Sequence, residues 1–258
     1  MPVISRKLIK LICVILFFCF YMSGCNEMPE RQMENTMPEN KLDHPDVLRI
    51  RFHPRPAPKT PTPAGARDID IQVEQDVTIG CRLFTHDRTS PTILYFHGNG
   101  EIVSDYDAIG PMYQEVELNL LVTDFRGYGW SNGSPTATAM LRDAHTLYRE
   151  LTAWLRDNGY SGPLFIMGRS LGSACAIELA AQYNDEIDGL IIESGFSETL
   201  PLARTLGLDL DKLGITEEET FNNLLKMESI TKPTFILHGH QDQLIPPRQG
   251  EKLMVAGA

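Results

Sequence analysis

Five short runs, "PTILYFHG", "NLLVTDF", "GPLFIMG", "DGLIIES" and "KPTFILHG", constrain the fold of this chain more than any other feature. Each is apolar, rich in β-branched or aromatic residues, and bounded by proline, glycine or a polar residue, the pattern of a strand buried on both faces. Helical patterns separate them. In "TATAMLRDAHTLYRELTAWLRDNG" the residues Leu141, Ala144, Leu147, Tyr148, Leu151, Trp154 and Leu155 recur at threes and fours, and Gly159 follows as a stop signal. The small residues of "SLGSACAIELAAQY" suit a helix lying close on a sheet. Parallel strands need such crossovers, so the sequence predicts an α/β sandwich with a mainly parallel central sheet. "DIDIQVE" and "VTIGCRLF" read as an opening antiparallel pair. Residues 197–232 break the alternation, and "LPLARTLG" and "TEEETFNNLLKM" within them read as two or three short helices of a small cap insertion over one end of the sheet.

The N-terminal stretch follows a different logic. "MPVISRKLIK" is a positive n-region, "LICVILFFCFYM" an apolar h-region and "SGC" a small-residue exit, so residues 1–24 read as an export signal. The apolar run from Leu11 to Met22 is shorter than the roughly 20 residues that span a bilayer, which disfavours a transmembrane anchor. "MSGC" resembles a bacterial lipobox. That resemblance implies that Cys25 becomes the lipid-modified N-terminus and holds the protein at the periplasmic side of a cell-envelope membrane. An ordinary cleaved signal with an incidental cysteine and an uncleaved anchor are the alternatives. Residues 25–65, ending in "HPRPAPKTPTPAG", read as a tether whose fixed φ angles discourage helix and sheet, with its end extended along the folded body. Residues 66–258 are left for the domain. Cys81 and Cys175 sit on apolar elements and read as buried thiols.

"GRSLG", Gly168 to Gly172, is a G-x-S-x-G motif that follows the strand "PLFIM" and opens the helix "SLGSACAIELAAQY". A strand, a sharp turn and a helix in that order expose a serine hydroxyl at the carboxyl end of the sheet, the setting of a nucleophile elbow. The glycines suit a turn too crowded for Cβ atoms. The helix start behind Ser170 favours developing negative charge. A serine that only caps a helix is the plainer alternative.

With "LYFHGNG", Leu94 to Gly100, the sequence resembles the α/β-hydrolase fold family of serine hydrolases. An H-G-x turn after the third strand supplies one oxyanion-hole N–H in that family, and the residue after the nucleophile supplies the other. The resemblance therefore implies Asn99 and Leu171 as donors, with His97 a structural residue of the turn. It continues in "VTDFRGYGWSNGSP", similar to the D-x-R-G-x-G-x-S segment after the fourth strand. "LHGHQDQLIPP" is similar to the H-G-x-x-D-x-x-[IV]-P stretch after the seventh, which implies Asp242 as the triad acid. Glu193, ending "GLIIES", is the competing carboxylate, because some relatives place the acid after the sixth strand. The "HGNG" turn is similar to that of the small-cap esterase and peptidase-like subset.

The same resemblance implies the order serine, acid, histidine, with the histidine one helix and one strand beyond the acid. "GEKLMVAGA" stands where that helix begins. Of the 7 histidines, His44 and His53 lie in the tether, His86 precedes the third strand, His145 falls on the helix after the fourth, and His97 and His238 belong to strand-end turns. His240 shares a turn with Asp242 and is poorly placed to reach both acid and serine. The expectation is a piece of a longer reading frame, inactive alone, whose parent is a lipid-anchored serine hydrolase acting on an ester through an acyl-enzyme on Ser170. Thioester and amide bonds are alternative targets, and a small ester or peptide-like molecule is the expected substrate.

A truncated, non-catalytic lipoprotein using the fold as a binding or scaffold module is the rival. Haloperoxidase chemistry is a further alternative on the same fold, whereas a dehalogenase would need an aspartate where Ser170 stands. No metal or cofactor is implied, since no cluster of His, Cys and Asp ligands is present. A net charge of -11 repels phosphate backbones and argues against nucleic acid.

Overall fold

The structure, a computed structural model, describes residues 41–45, 47–48 and 52–257. The predicted export signal, Cys25 and the first part of the tether lie outside the described residues. Apolar runs and helical patterns have become a seven-stranded sheet in the order β1-β2-β4-β3-β5-β6-β7. Its strands are β1 (Ala66–Glu74), β2 (Val77–Phe84), β3 (Thr92–Phe96), β4 (Asn119–Thr123), β5 (Leu164–Arg169), β6 (Gly189–Glu193) and β7 (Thr234–Leu237). β1 and β2 form the expected antiparallel pair, and β2 joins β4 antiparallel. From β4 through β7 every pairing is parallel. All residues of β3 and β4 are buried, as their unbroken apolar runs require. The helices are α1 (Gly110–Gln114), α2 (Ala137–Asp157), α3 (Gly172–Gln182), α4 (Thr199–Thr205), α5 (Asn223–Met227) and α6 (Pro247–Ala256).

α2 forms where the three-and-four spacing placed it, with Leu141, Ala144, Leu147, Tyr148, Leu151 and Leu155 buried. Its start is capped twice. Thr136 is extended and its Oγ accepts from Ala139 N at 3.0 Å, and the Asp43 carboxylate accepts from Ala137 N at 2.6 Å and Thr138 N at 3.2 Å. These acceptors answer amides that a helix leaves unpaired, and the carboxylate faces the positive end of the dipole. Gly159, at φ 80, ends the run. Arg126, in the turn after β4, pins that turn to α2 through paired bonds to Asp143 at 2.6 and 2.7 Å. The guanidinium also reaches Glu74 on β1.

The folded unit includes residues from the stretch read as tether. Leu42, Val47 and Phe52 belong to the core. Residues 52–63 run along the body without helix before a turn at Ala64 and Gly65, and Pro56 bridges Gly129 in parallel. Ala57 N donates to Gly129 O at 2.8 Å and Gly129 N to Arg55 O at 3.1 Å, a piece of ladder that uses the donors the prolines leave. Cys81 and Cys175 are buried and unbridged, and burial pushes both thiols well up.

The cap insertion holds α4, two 3₁₀ turns at Asp211–Leu213 and Glu217–Glu219, and α5. Glu217 caps α4 through Thr199 N at 2.6 Å and Leu200 N at 2.9 Å. Gln249 Oε1 on α6 accepts from the Ser197 and Glu198 amides and holds the start of the cap. Lys226 on α5 pairs with Glu178 on α3, which also meets His145 on α2 at 3.1 Å. Desolvation alone would raise the Glu178 carboxyl, but the His145 bond and the Lys226 ammonium outweigh it and hold the group down at about 2.

Candidate active site

Four turns gather at the carboxyl ends of the parallel strands: His97 to Gly100 after β3, Ser170 after β5, Ser194 after β6 and the loop to Asp242 after β7. This is the edge at which open parallel sheets place ligands. Ser170 sits at φ 50, in the left-handed region that disfavours any residue with a Cβ. It is held there from both sides: its N–H donates to Glu193 O at 2.9 Å, and its carbonyl accepts from Ser173 N and Ser173 Oγ at 3.0 and 2.6 Å. Ser170 is half-buried, and among the described residues its Oγ makes no hydrogen bond.

The glycines explain how the turn closes. A Cβ on Gly168 would lie 2.3 Å from Gly172 O, and one on Gly172 would lie 2.1 Å from Phe96 O and 2.6 Å from His97 O. The start of α3 therefore lies directly on the end of β3, bringing the two turns that carry Leu171 and Asn99 against each other. Leu171 stands at the N-cap of α3, where the first amides have no carbonyl inside the helix.

His97 is fully buried, with Nδ1 2.8 Å from Gly98 O and Nε2 3.1 Å from Asp124 Oδ1. Both ring nitrogens thus face oxygen acceptors. A trans peptide carries its C=O and N–H on opposite sides, and no cis bond occurs among the described residues, so fixing Gly98 O toward His97 turns the Asn99 N–H the other way. The ring packs between Phe125 and Tyr128, at centroid distances of 4.7 and 5.6 Å. Asp124 Oδ1 also accepts from Val103 N at 2.8 Å. His97 is accordingly built into the turn, as the resemblance implied.

Asp242 lies in the loop after β7 and is half-buried. Its Oδ1 accepts from Leu244 N at 3.0 Å and Ile245 N at 2.9 Å, the turn bonds that any loop carboxylate can make. Its Oδ2 accepts no hydrogen bond among the described residues; the nearest cation-capable atom recorded is His238 Nε2 at 3.9 Å. That nitrogen lies 2.7 Å from Ile245 O, which braces the loop across its base. Glu193, the competing carboxylate, is engaged with Arg169 Nε at 3.3 Å. Burial raises its carboxyl, more than Arg169 lowers it. His240 is exposed, and His145 is committed to Glu178 and Tyr183 between α2 and α3.

Arg169, Glu101 and Tyr128 belong to the site without having been assigned a role from sequence. Arg169 pairs with Glu101, whose other oxygen accepts from Gly98 N at 2.9 Å and Tyr106 O–H at 2.7 Å. The residue before the serine is thereby tied to the β3 turn. Tyr128 O–H donates to Asn99 Oδ1 at 2.6 Å. Arg169 and Tyr128 lie inside the two motifs quoted from sequence, which is the only signal that could have found them. Beside the Asp242 loop, Pro201, Leu202, Leu244, Ile245 and Pro246 line a mostly apolar cavity of about 290 Å³ between α4 and α6.

Residues 87–206 match the family described as serine aminopeptidase, S33. Over 170 residues the chain is 28% identical to alpha/beta hydrolase domain-containing protein WAV2 of Arabidopsis thaliana, covering 61% of this chain and 54% of that protein. It is 27% identical to protein bem46 of Schizosaccharomyces pombe, with 70% and 62% covered. It is 30% identical to lysophosphatidylserine lipase ABHD12 of Danio rerio, with 63% and 46% covered. The chain thus spans about half the length of the curated relatives it matches. Among solved structures, the esterase Pf2001 of Pyrococcus furiosus superposes with a TM-score of 0.62 at 21% identity, over 80% of this chain and 84% of that one. Est1E of Butyrivibrio proteoclasticus, with ferulic acid bound, gives 0.61 at 19%, over 73% and 85%. Strand order, turn positions and these likenesses agree that the chain is an α/β-hydrolase-fold protein.

Proposed function

We propose that the protein is a serine hydrolase that cleaves an ester, with thioester and amide bonds as alternatives, through an acyl-enzyme on Ser170. The observation that carries this is the strained backbone of Ser170 at φ 50: a β-carbon is held in left-handed conformation at the strand–helix turn, with its hydroxyl uncommitted among the described residues. A serine that only capped α3 would gain nothing from that strain.

In the mechanism, Ser170 Oγ bonds to the substrate carbonyl carbon as its proton passes to a base. The carbonyl oxygen becomes an oxyanion, received by the Asn99 and Leu171 N–H groups. Collapse expels the alkoxide, which takes the proton back, and water then repeats the sequence on the acyl-enzyme. Asp242 orients the base through its Oδ2 and stabilises the imidazolium. His97 and His145 are committed elsewhere, His238 Nε2 braces the Asp242 loop through Ile245 O, and His240 shares the acid's own turn. The apolar cavity beside the Asp242 loop receives the acyl or leaving group.

A fluorophosphonate probe on the natural full-length protein is expected to leave its phosphonyl group on the peptide containing Ser170, read by mass spectrometry. A protein that supplies a histidine opposite Asp242 yet stays unlabelled would sink the proposal and leave a binding or scaffold module. The envelope anchor is part of the same proposal and rests on "MSGC". Cells fed an alkynyl fatty acid are expected to label the protein, and Cys25→Ala to abolish that label; a Cys25→Ala protein that remains acylated refutes the anchor.

A further inference from the structure

The proline-rich stretch before β1 touches the site. His53 N donates to Asn99 Oδ1 at 2.9 Å and to Tyr128 Oη at 3.0 Å, while Tyr128 O–H itself donates to Asn99 Oδ1 at 2.6 Å. These bonds close a three-membered junction among a linker amide, a phenol and the side chain of the residue whose own N–H is the proposed oxyanion donor. Burial raises the Tyr128 phenol, more than the His53 and Gly100 amides that donate to it lower it, so it stays a donor at neutral pH. Further along, Arg55 pairs with Asp105, and Thr60 Oγ donates to Asp107 at 3.3 Å. Arg82, fully buried, joins Asp107 to the linker's Thr60 at 2.6 and 3.1 Å. The bonds to Asn99, Asp105 and Asp107 fall on one loop, which starts at Asn99 and runs through Asp107. The backbone ladder between Arg55, Ala57 and Gly129 holds the same segment to the turn that bears Tyr128.

Resting on the proposed function, we propose that residues 53–60 are a positioning element of the catalytic site. The His53 backbone N–H and the Tyr128 hydroxyl act through the Asn99 side chain to hold the oxyanion loop in register with Ser170. A spacer needs only length; this segment makes specific bonds to the Asn99–Asp107 loop and to the turn that bears Tyr128, and the first of them ends on the proposed donor residue. Displacing a pre-positioned group by about 1 Å costs on the order of 100-fold in rate, so a loosened junction acts on turnover far more than on binding.

The test uses the natural full-length protein. His53→Pro deletes the amide donor at an exposed site, His53→Ala keeps it, and Tyr128→Phe deletes the hydroxyl. Hydrogen–deuterium exchange is expected to rise over residues 97–107 in His53→Pro and Tyr128→Phe, with thermal midpoints confirming that each is folded. The rate of fluorophosphonate labelling, and kcat with KM little changed, are expected to fall about tenfold or more in both. His53→Ala is expected to label severalfold faster than His53→Pro. If Tyr128→Phe does not fold, the His53 pair decides. Unchanged exchange and labelling in His53→Pro, or equal losses in His53→Ala and His53→Pro, overturn the inference. A wild-type protein that never labels overturns the proposed hydrolase instead, and the exchange data then judge the positioning alone.

Discussion

Ser170→Ala is expected to remove fluorophosphonate labelling and to lower ester turnover of the natural full-length protein by about six orders of magnitude, the scale seen when an activated serine is lost. Its unfolding midpoint should nonetheless stay close to the wild type. The hydroxyl makes no hydrogen bond among the described residues, and alanine bears the same left-handed penalty that serine does at φ 50. Ser170→Gly separates the two effects further. Removing the Cβ relieves about 1–2 kcal/mol of backbone strain, against about 0.5–1 kcal/mol for glycine's greater freedom when unfolded, so that variant should be inactive and slightly more stable. Urea unfolding beside a turnover assay reads both. Appreciable turnover by Ser170→Ala would remove Ser170 from the chemistry, while a destabilised Ser170→Gly would show that φ 50 carries no strain.

The sequence exposed this architecture wherever structure is locally encoded. Continuous apolar runs became β3 and β4, buried along their whole lengths, and the three-and-four spacing of α2 ended at Gly159 as its left-handed φ of 80 demands. The cap was less legible. "TEEETFNNLLKM" reads as helical without fixing whether it is one piece or two, and Asn222, at φ 51, divides it into a 3₁₀ turn and α5. An asparagine tolerates that conformation, so neither spacing nor propensity signals the break.

Within the site, residues carried by motifs were visible and their long-range partners were not. Ser170, Asn99, Leu171 and Asp242 stand in turns whose sequence patterns are short and contiguous. His53 reaches Asn99 across 46 positions, Arg169 reaches Glu101 across 68, and Asp43 reaches the start of α2 across 94. A proline-rich stretch advertises only that it is neither helix nor strand, and which of its few amides finds a partner depends on the surface it crosses. Charge on the linker was equally uninformative until Arg55 and Lys59 were placed beside Asp105 and Asp70.

The second large effect falls on Gly172, and there stability and site geometry are one question. In an ordinary helix, glycine to alanine gains about 0.5–1 kcal/mol. Here the added methyl would lie 2.1 Å from Phe96 O, 2.6 Å from Phe96 C and 2.6 Å from His97 O, all backbone atoms of the β3 end. No rotamer change relieves such contacts. Either α3 retreats from the sheet or the β3 turn moves, and both separate Leu171 from Asn99. Gly172→Ala is therefore expected to lose about 4 kcal/mol or more, a large share of the 5–15 kcal/mol that holds a typical domain together. Gly239, whose Cβ would meet nothing nearer than Asp242 Cβ at 3.8 Å, is the contrast, and Gly239→Ala should stay within about 1 kcal/mol of wild type. Urea midpoints compared at constant m-value measure both. A Gly172→Ala protein as stable as Gly239→Ala would mean that α3 does not rest on the end of β3, and the two proposed oxyanion donors would lose the contact that brings their turns together.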